Sequence, residues 1–271
     1  PFATNTTVIA SLFQDDRQTR ALNGFGKAYI EAKFLKDFTF TTNFVLNYYN
    51  GIQDNFQNPT YGDAANVQGR INRSLQTQYT YTFNQMLNWK PTFGLFADRE
   101  KHHLDITLVH EAYLLRDQNA NFTRTGVPAP NFKEGAAAAV GTGSTSQVDY
   151  QTLESYLGMI SYDFKNKYYI NANVRRDGTS RFSPQARWGT FGSIGAGWII
   201  SDENFMSGTK KILNQLKIRG SYGVTGQQDL GQGYYVWQAR YEFNHNNTHP
   251  GYTFFSWGSD VLKWEGRLQA N

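Results

Sequence analysis

Apolar and polar residues alternate one by one along most of the chain, the mark of strands with one oily and one wet face. From 27 to 34, Ala28, Ile30, Ala32 and Phe34 alternate with Lys27, Tyr29, Glu31 and Lys33. After Leu35–Lys36–Asp37, positions Phe38, Phe40, Phe44, Leu46 and Tyr48 oppose Thr39, Thr41, Asn43 and Asn47. The pattern returns in Leu75, Tyr79, Tyr81, Phe83, Leu87 and Trp89, in Leu104, Ile106 and Leu108, and in Tyr168, Ile170, Ala172 and Val174. It is seen again in Trp188, Ile194, Ala196 and Trp198, and in Leu216, Ile218, Tyr222 and Val224. A strand near 150–164 is apolar on both sides. The pattern predicts about nine strands and an all-β fold.

These runs are longer than the ~5–6 residues usual in soluble sheets. Aromatic residues gather at their ends (Tyr48, Tyr49, Trp89, Tyr113, Tyr162, Tyr168, Trp188, Trp198), where the girdles of a membrane barrel would lie. The connections fall into two alternating sets. One, at 35–37, 91–102, 165–167 and 201–215, holds the two tightest turns; the other, at 50–69, 117–149, 177–187 and 225–260, holds the three longest loops. Short turns at one rim and long loops at the other are the pattern of outer-membrane barrels. Ser201 is expected to cap a helical turn in 201–215, with Asp202 and Glu203 in its first turn. Asp177–Gly178 reads as a turn dipeptide ending a strand. The reading favours a membrane barrel over a soluble β-sandwich or propeller.

Composition agrees. The 271 residues include 20 Phe, 17 Tyr and 6 Trp, yet mean hydropathy is only −0.58, as expected when lipid-facing and wet positions average out. The longest apolar patch, around Ala196–Gly197–Trp198–Ile199–Ile200, is far below the ~18 residues of a spanning helix, whereas a barrel strand needs only ~9–11. A formal charge of +4 with no basic run gives no nucleic-acid footprint. The absence of cysteine removes disulfides, thiol nucleophiles and thiolate metal sites.

Several ordered motifs then resemble one family. They are Tyr162–Asp163–Phe164–Lys165 with Lys167–Tyr168, Arg176–Asp177–Gly178–Thr179–Ser180–Arg181–Phe182, Trp188–Gly189, Gly197–Trp198 and Glu203–Asn204–Phe205–Met206. Further on come Leu216–Lys217–Ile218–Arg219–Gly220–Ser221–Tyr222–Gly223–Val224–Thr225–Gly226 and Leu262–Lys263–Trp264–Glu265. Together they are similar to the barrel of SusC-type TonB-dependent transporters of Bacteroidota. The resemblance implies an antiparallel transmembrane β-barrel of ~22 strands, of which residues 1–271 form a portion without the plug domain or the C-terminal strands. It implies uptake of oligosaccharides or peptides, energy through TonB by way of the N-terminal part, a SusD-like surface lipoprotein as lid, contact with outer-membrane lipid, and a dimeric assembly. The competing readings are a passive porin or adhesin barrel, and a soluble β-rich carbohydrate-binding module.

Two groups are candidate site residues. The loop aromatics Tyr234, Tyr235 and Trp237, with Tyr252, Phe254, Phe255 and Trp257, could stack on sugars or hold peptide side chains. The simpler reading is that they pack loops together or against a partner lipoprotein. The charged residues Lys27, Glu31, Lys33, Asp105, Glu111, Arg175, Lys217 and Arg219 fall on the wet face, where they would line the lumen or dock a plug. His102 and His103 should point to opposite faces, His110 sits on an apolar face, and His245 and His249 flank an Asn-rich stretch; none assembles a metal set. No cofactor site, general acid–base pair or phosphate loop is evident, so no enzyme activity is expected.

Overall fold

The computed structural model describes residues 15–98, 100–209, 212–229, 231, 233–246 and 249–271. Its strands are β1 (Asp16–Phe34), β2 (Phe38–Gln57), β3 (Arg70–Trp89), β4 (His102–Thr125), β5 (Val140–Phe164), β6 (Tyr168–Thr179), β7 (Trp188–Ile199), β8 (Lys217–Gln227), β9 (Arg240–Asn246), β10 (His249–Ser256) and β11 (Glu265–Ala270). A nine-stranded sheet runs β1-β2-β3-β4-β5-β6-β7-β8-β11, and β9 pairs with β10 in a separate two-stranded sheet.

Strands β2, β4 and β5 extend well into segments expected to be loop. Their polar extensions are paired rather than free, because strand hydrogen bonds satisfy a backbone whether or not its side chains are oily. Asp177–Gly178 is not a turn: Asp177 pairs with Gly189 and Gly178 with Trp188. The indole of Trp188 lies over Gly178, where a Cβ would meet its ring at 2.9 Å. The expected cap at Ser201 is also absent. The chain there forms two 3-10 segments, Ile200–Asp202 and Asn204–Thr209, and the first starts from Ile199 without a side-chain cap. The Ser201 hydroxyl is buried and makes no hydrogen bond within the protein.

The two tight turns share one geometry. Lys165 and Asn166 both take positive φ (54° each), the geometry that suits two-residue hairpin turns. Leu35 and Lys36 do the same at 48° and 61°, a less expected choice for Leu. Asp37 secures that turn by accepting a 2.7 Å hydrogen bond from the Thr92 hydroxyl.

Contacts divide the chain into two units that cut across the long strands. The first comprises residues 1–26, 45–81 and 115–150. Phe56, Ile71, Val127 and Ala138, with Phe122, form a small apolar cluster in it, where the 58–69 and 126–139 connections fold onto their strands. Beside them Asp54 pairs with Arg20 at 2.7 Å and with Arg73, which reaches Glu134 at 3.0 Å.

The second unit comprises 27–44, 82–114 and 151–271. Its register shows why alternation was so regular. Ile160 pairs with Ala172, Ala172 with Ile194 and Ile194 with Tyr222; Tyr168 pairs with Trp198 and Trp198 with Ile218. Val224 pairs with Leu268. Since side chains of one strand alternate in face, this register gathers the apolar positions of five strands on one side, and a one-residue slip would invert them. At Gly192 the sheet is so close that a Cβ would lie 2.8 Å from the carbonyl oxygen of Asn173.

That apolar side is uncovered. Ile160, Ile170, Val174, Ile194, Ile218, Tyr222 and Leu268 are each about half exposed. Among the described residues only nine hydrophobic side chains are buried. A continuous oily face of this kind needs a non-aqueous neighbour.

Candidate functional site

Two aromatic rows bound the apolar face. At the short-turn end Phe164, Tyr168 and Trp198 stack in series, with ring centroids 6.1 and 6.2 Å apart. Nearby, Phe34, Phe38, Trp89 and Phe93 form a second series at 5.5, 5.9 and 6.3 Å. Towards the long-loop end Tyr156 lies 6.2 Å from Trp188, and the Arg176 guanidinium sits over that indole at 5.3 Å. Ten residues separate Trp188 from Trp198. At ~3.3 Å per residue and a tilt of ~40° that is ~25 Å along the normal, the height of the apolar band in outer-membrane barrels.

Glu203, past the end of β7, ties the lower row down. Its carboxylate accepts hydrogen bonds from the Tyr168 hydroxyl (2.6 Å) and the Trp198 indole N–H (3.2 Å), with Lys167 at 3.6 Å. The Tyr168 hydrogen bond first, then that of Trp198, holds the carboxyl below its ordinary range. A depressed carboxylate contributes stability above its unfolded pKa of about 4.3 and loses it as pH falls through the lower folded value. The emission difference between the parent protein and its Trp198→Phe variant should therefore change below pH ~4. In a Glu203→Gln background that step should vanish; its persistence there would assign it to another group.

The opposite face is polar. In the register, Asn171, Asn173, Arg175 and Asp177 of β6 lie beside Gly195, Ser193, Phe191 and Gly189 of β7, and Gly195 and Gly197 beside Ser221 and Arg219 of β8, with Lys217 next along. Three predicted charges, Arg175, Lys217 and Arg219, share this face. Arg175 is braced by both oxygens of Asp177 (2.7 and 2.8 Å), the Ser155 hydroxyl (3.0 Å) and Glu111 (3.7 Å). Lys217 lies over the Tyr169 ring at 4.1 Å, and Lys217 and Arg219 border a recess of 670 Å³ with Asn171 and Ser221. Asp105 pairs with Lys90 at 3.1 Å and with the Asn88 amide. Lys33 pairs with Glu31 at 3.3 Å, and Lys27 lies 5.8 Å from the Tyr29 ring, all three charged residues exposed on β1. The structure thus pairs most of these charges with neighbours instead of converging them on one point.

The loop aromatics divide. Tyr234, Tyr235 and Trp237 are half-buried in the 228–239 connection. Trp237 donates to the Ser180 carbonyl (3.1 Å), and Arg181 stacks on Tyr234 at 4.9 Å while pairing with Asp229 at 3.0 Å. The Gly231 backbone N–H, then Arg181, lower the Asp229 pKa. Tyr252, Phe254 and Trp257 instead belong to an exposed cluster with Tyr241 and Phe243. The register sets Tyr252 opposite Phe243 and Phe254 opposite Tyr241, all four on one face. Exposures are 59% for Tyr241, 92% for Phe243, 74% for Tyr252 and 82% for Trp257. Phe255 is on the other face, 5.1 Å from the Arg240 guanidinium. Tyr241 and Phe243 escaped the sequence reading because that segment was taken as loop; their period-two spacing with Arg240 and Glu242 was the available signal.

The residues of Arg176–Phe182 also do more than turn. Phe182 is fully buried against Trp264 (5.8 Å, edge-on), which donates to the Arg187 carbonyl at 2.9 Å and meets Phe191 at 5.3 Å. Ser183 donates to the Asp260 carbonyl at 2.9 Å. Two motifs far apart in sequence are therefore one packing unit. The histidines have local partners: His102 the Tyr162 hydroxyl (2.8 Å), His103 the Asp163 carboxylate (2.9 Å) from the opposite face, and His110 both Gln85 (2.9 Å) and Glu154 (3.3 Å). His245 lies outside the residues whose side chains are described, as does His249.

A strand wall with an oily band, two aromatic rows and a polar reverse defines an outer-membrane β-barrel protein. No family model matches the chain. It is 32% identical over 252 residues to the TonB-dependent receptor P39 of Formosa agariphila, a match covering 90% of the chain and 23% of that protein. It is 37% identical over 127 residues to the TonB-dependent receptor SusC of Bacteroides thetaiotaomicron, covering 45% of the chain and 13% of that receptor. The solved structure of the RagAB peptide transporter superposes on 99% of the chain and 30% of its own length, with a TM-score of 0.84 at 19% identity. The chain is a barrel segment of the SusC-type TonB-dependent receptors and resides in the bacterial outer membrane. It spans about a quarter or less of the length of the curated relatives it matches, and the soluble-module reading is set aside.

Proposed function

We propose that the protein containing this segment imports oligosaccharides or peptides across the outer membrane, driven through TonB. In this reading residues 1–271 are a portion of one barrel domain, with the polar face towards the lumen. Lys27, Glu31, Lys33, Asp105, Glu111, Arg175, Lys217 and Arg219 then form a solvated inner wall that carries cargo or docks a plug. The relatives' names favour TonB-driven import over a passive porin or an adhesin. No enzymatic step is part of the proposal.

The observation that carries it is the aromatic hairpin β9–β10, which leaves Phe243, Tyr252 and Trp257 in solvent on a membrane-anchored wall. Exposed aromatic clusters are binding anchors, since they supply large area at low entropic cost. We assign the hairpin to contact with cargo or with a SusD-like surface lipoprotein acting as lid, in a dimeric assembly. Trp237 and Tyr234 belong instead to the preceding connection, held to Ser180 and Arg181.

The test is made in cells expressing the full-length parent protein. Changing Tyr241, Phe243, Tyr252 and Trp257 together to Ser should cut uptake of its oligomeric cargo at least ~10-fold, as loss of a binding hot spot does. Barrel assembly, read by heat-modifiable gel mobility, should stay normal. Normal uptake by this variant would remove the hairpin from the import path, and uptake independent of TonB would remove the import reading itself.

A further inference from the structure

We infer that the polar face of the first unit holds a subsite for an uncharged, hydroxyl-rich oligosaccharide; this rests on the import reading and narrows its cargo. The site is a recess of 330 Å³ bordered by Tyr49 of β2, Ser74 and Gln76 of β3, Asn119 of β4 and Gln147 of β5, with Gln53 at its margin. That volume falls in the ~300–1,000 Å³ range of ligand clefts. Alternation and hydrogen bonding put these residues on one face. Asn47 bonds Thr80 at 3.0 Å and Gln76 bonds Asp117 at 3.0 Å, and Tyr49, Ser74 and Asn119 share their parities.

The lining carries amides, hydroxyls, one phenol and the apolar Ile52, Leu75 and Ala120, but no Asp, Glu, Lys, Arg or His. The nearby charges stand one step back and orient the amides. Asp117 accepts both contacts of the Gln76 Nε2 (3.0 and 3.3 Å), and Asp149 accepts from the Gln147 Nε2 at 3.1 Å. With the Gln53 amide oriented by its neighbours, oxygen towards Arg17, the guanidinium donates to it at 2.9 and 2.6 Å. With an N–H of Gln76 and of Gln147 engaged, each amide is oriented and offers its carbonyl oxygen, with the remaining N–H of Gln147, to a ligand; at Gln53 the offered group is the NH2. Fixed acceptors beside a fixed donor match vicinal hydroxyls, each of which donates and accepts at once. Tyr49 contributes an aromatic ring, held close over Gly51, where a Cβ would collide with it.

The same chemistry disfavours a mixed-sequence peptide. Its carboxylates would face Asp117 and Asp149 directly behind the lining amides, and no lining side chain itself carries a charge to pair with its cations. A neutral sugar chain gives up only hydroxyl hydration, which the amides replace.

The full-length parent protein, purified in detergent, would be applied to an array of neutral oligosaccharides, an array of uronic-acid and sulfated oligosaccharides, and a tryptic digest of casein. Retention of neutral oligosaccharides is expected. Gln76→Ala with Asn119→Ala should weaken the retained ligand at least ~10-fold, roughly the worth of two hydrogen bonds, and Tyr49→Ala should weaken it separately. Gln76→Glu should weaken it too while leaving heat-modifiable mobility intact, which separates ligand loss from misfolding. Unchanged affinity in these variants, or a loosened plug without a change in affinity, would overturn the subsite while leaving import standing. Retention of peptides or acidic glycans in place of neutral ones would overturn the substrate class. No retention at all, with no TonB-dependent uptake by cells, would overturn the import reading on which the subsite depends.

Discussion

Ile194→Arg in the full-length parent is expected to lower the stability of the folded barrel by about 2–4 kcal/mol, the cost of a cation at mid-depth on a lipid-facing strand. Ile194 stands on β7 six residues from Trp188 and four from Trp198, so an arginine there has no short route to either interface. Its cross-strand neighbours, Ala172 and Tyr222, offer no anion. The adjacent Ser193→Arg change places the same charge on the polar face, where Ser193 now accepts from the Asn173 amide at 2.6 Å. That variant should cost about 1 kcal/mol or less. Urea unfolding in lipid vesicles, followed by tryptophan emission, measures both. Equal losses at 193 and 194 would mean that the two faces are not lipid and water, and would undo the assignment of the wall.

The second large effect is local. Phe182→Ala removes a fully buried ring from the packing unit it makes with Trp264, and truncations of this kind cost about 3–5 kcal/mol. The energy lies in the 180–187 connection and the start of β11, outside the apolar band, so the strand ladder should survive. The expected readout is faster amide exchange over 180–187 and 258–266 with unchanged exchange in β6 and β7. Phe182→Leu should recover most of the protection. Uniform loss across the sheet, or none in the loop, would show that this unit does not hold the connection in place.

The sequence made the wall legible because a lipid-facing strand writes itself as strict alternation. Ile170, Ile194 and Ile218 sit on one face for a reason visible in one dimension, and the register adds only which residue meets which. Strand ends above the oily band were harder. Residues 50–57, 117–125 and 140–149 carry only scattered apolar residues, such as Ile52, Phe56 and Phe122, too few to betray that their backbones are paired. The hairpin β9–β10 was hidden similarly, by an Asn-rich tip and by an aromatic content that suggested loop packing. Among site residues, faces were readable but partnerships were not. Arg175 and Lys217 could be placed on the wet side, yet the bidentate clasp of Asp177 and the Tyr169 ring beneath Lys217 depend on strands meeting across space. The Tyr49 recess was missed altogether, because scattered Asn, Gln and Ser carry no signature until four strands bring them together.

One consequence concerns how such a protein can change over evolutionary time. Strand β8 pairs not with β9 but with β11, from Glu265 opposite Gln227 to Ala270 opposite Tyr222. The described residues between them are not part of the nine-stranded sheet. The aromatic hairpin is thus a cassette beside the frame: its exposed side chains can change without shifting the β8–β11 pairing. In the proposed import reading the exposed aromatics of β9 and β10 are free to diverge, while Trp237, Asp260 and Trp264 stay fixed as the packing that ties the connection to Ser180, Ser183 and Phe182.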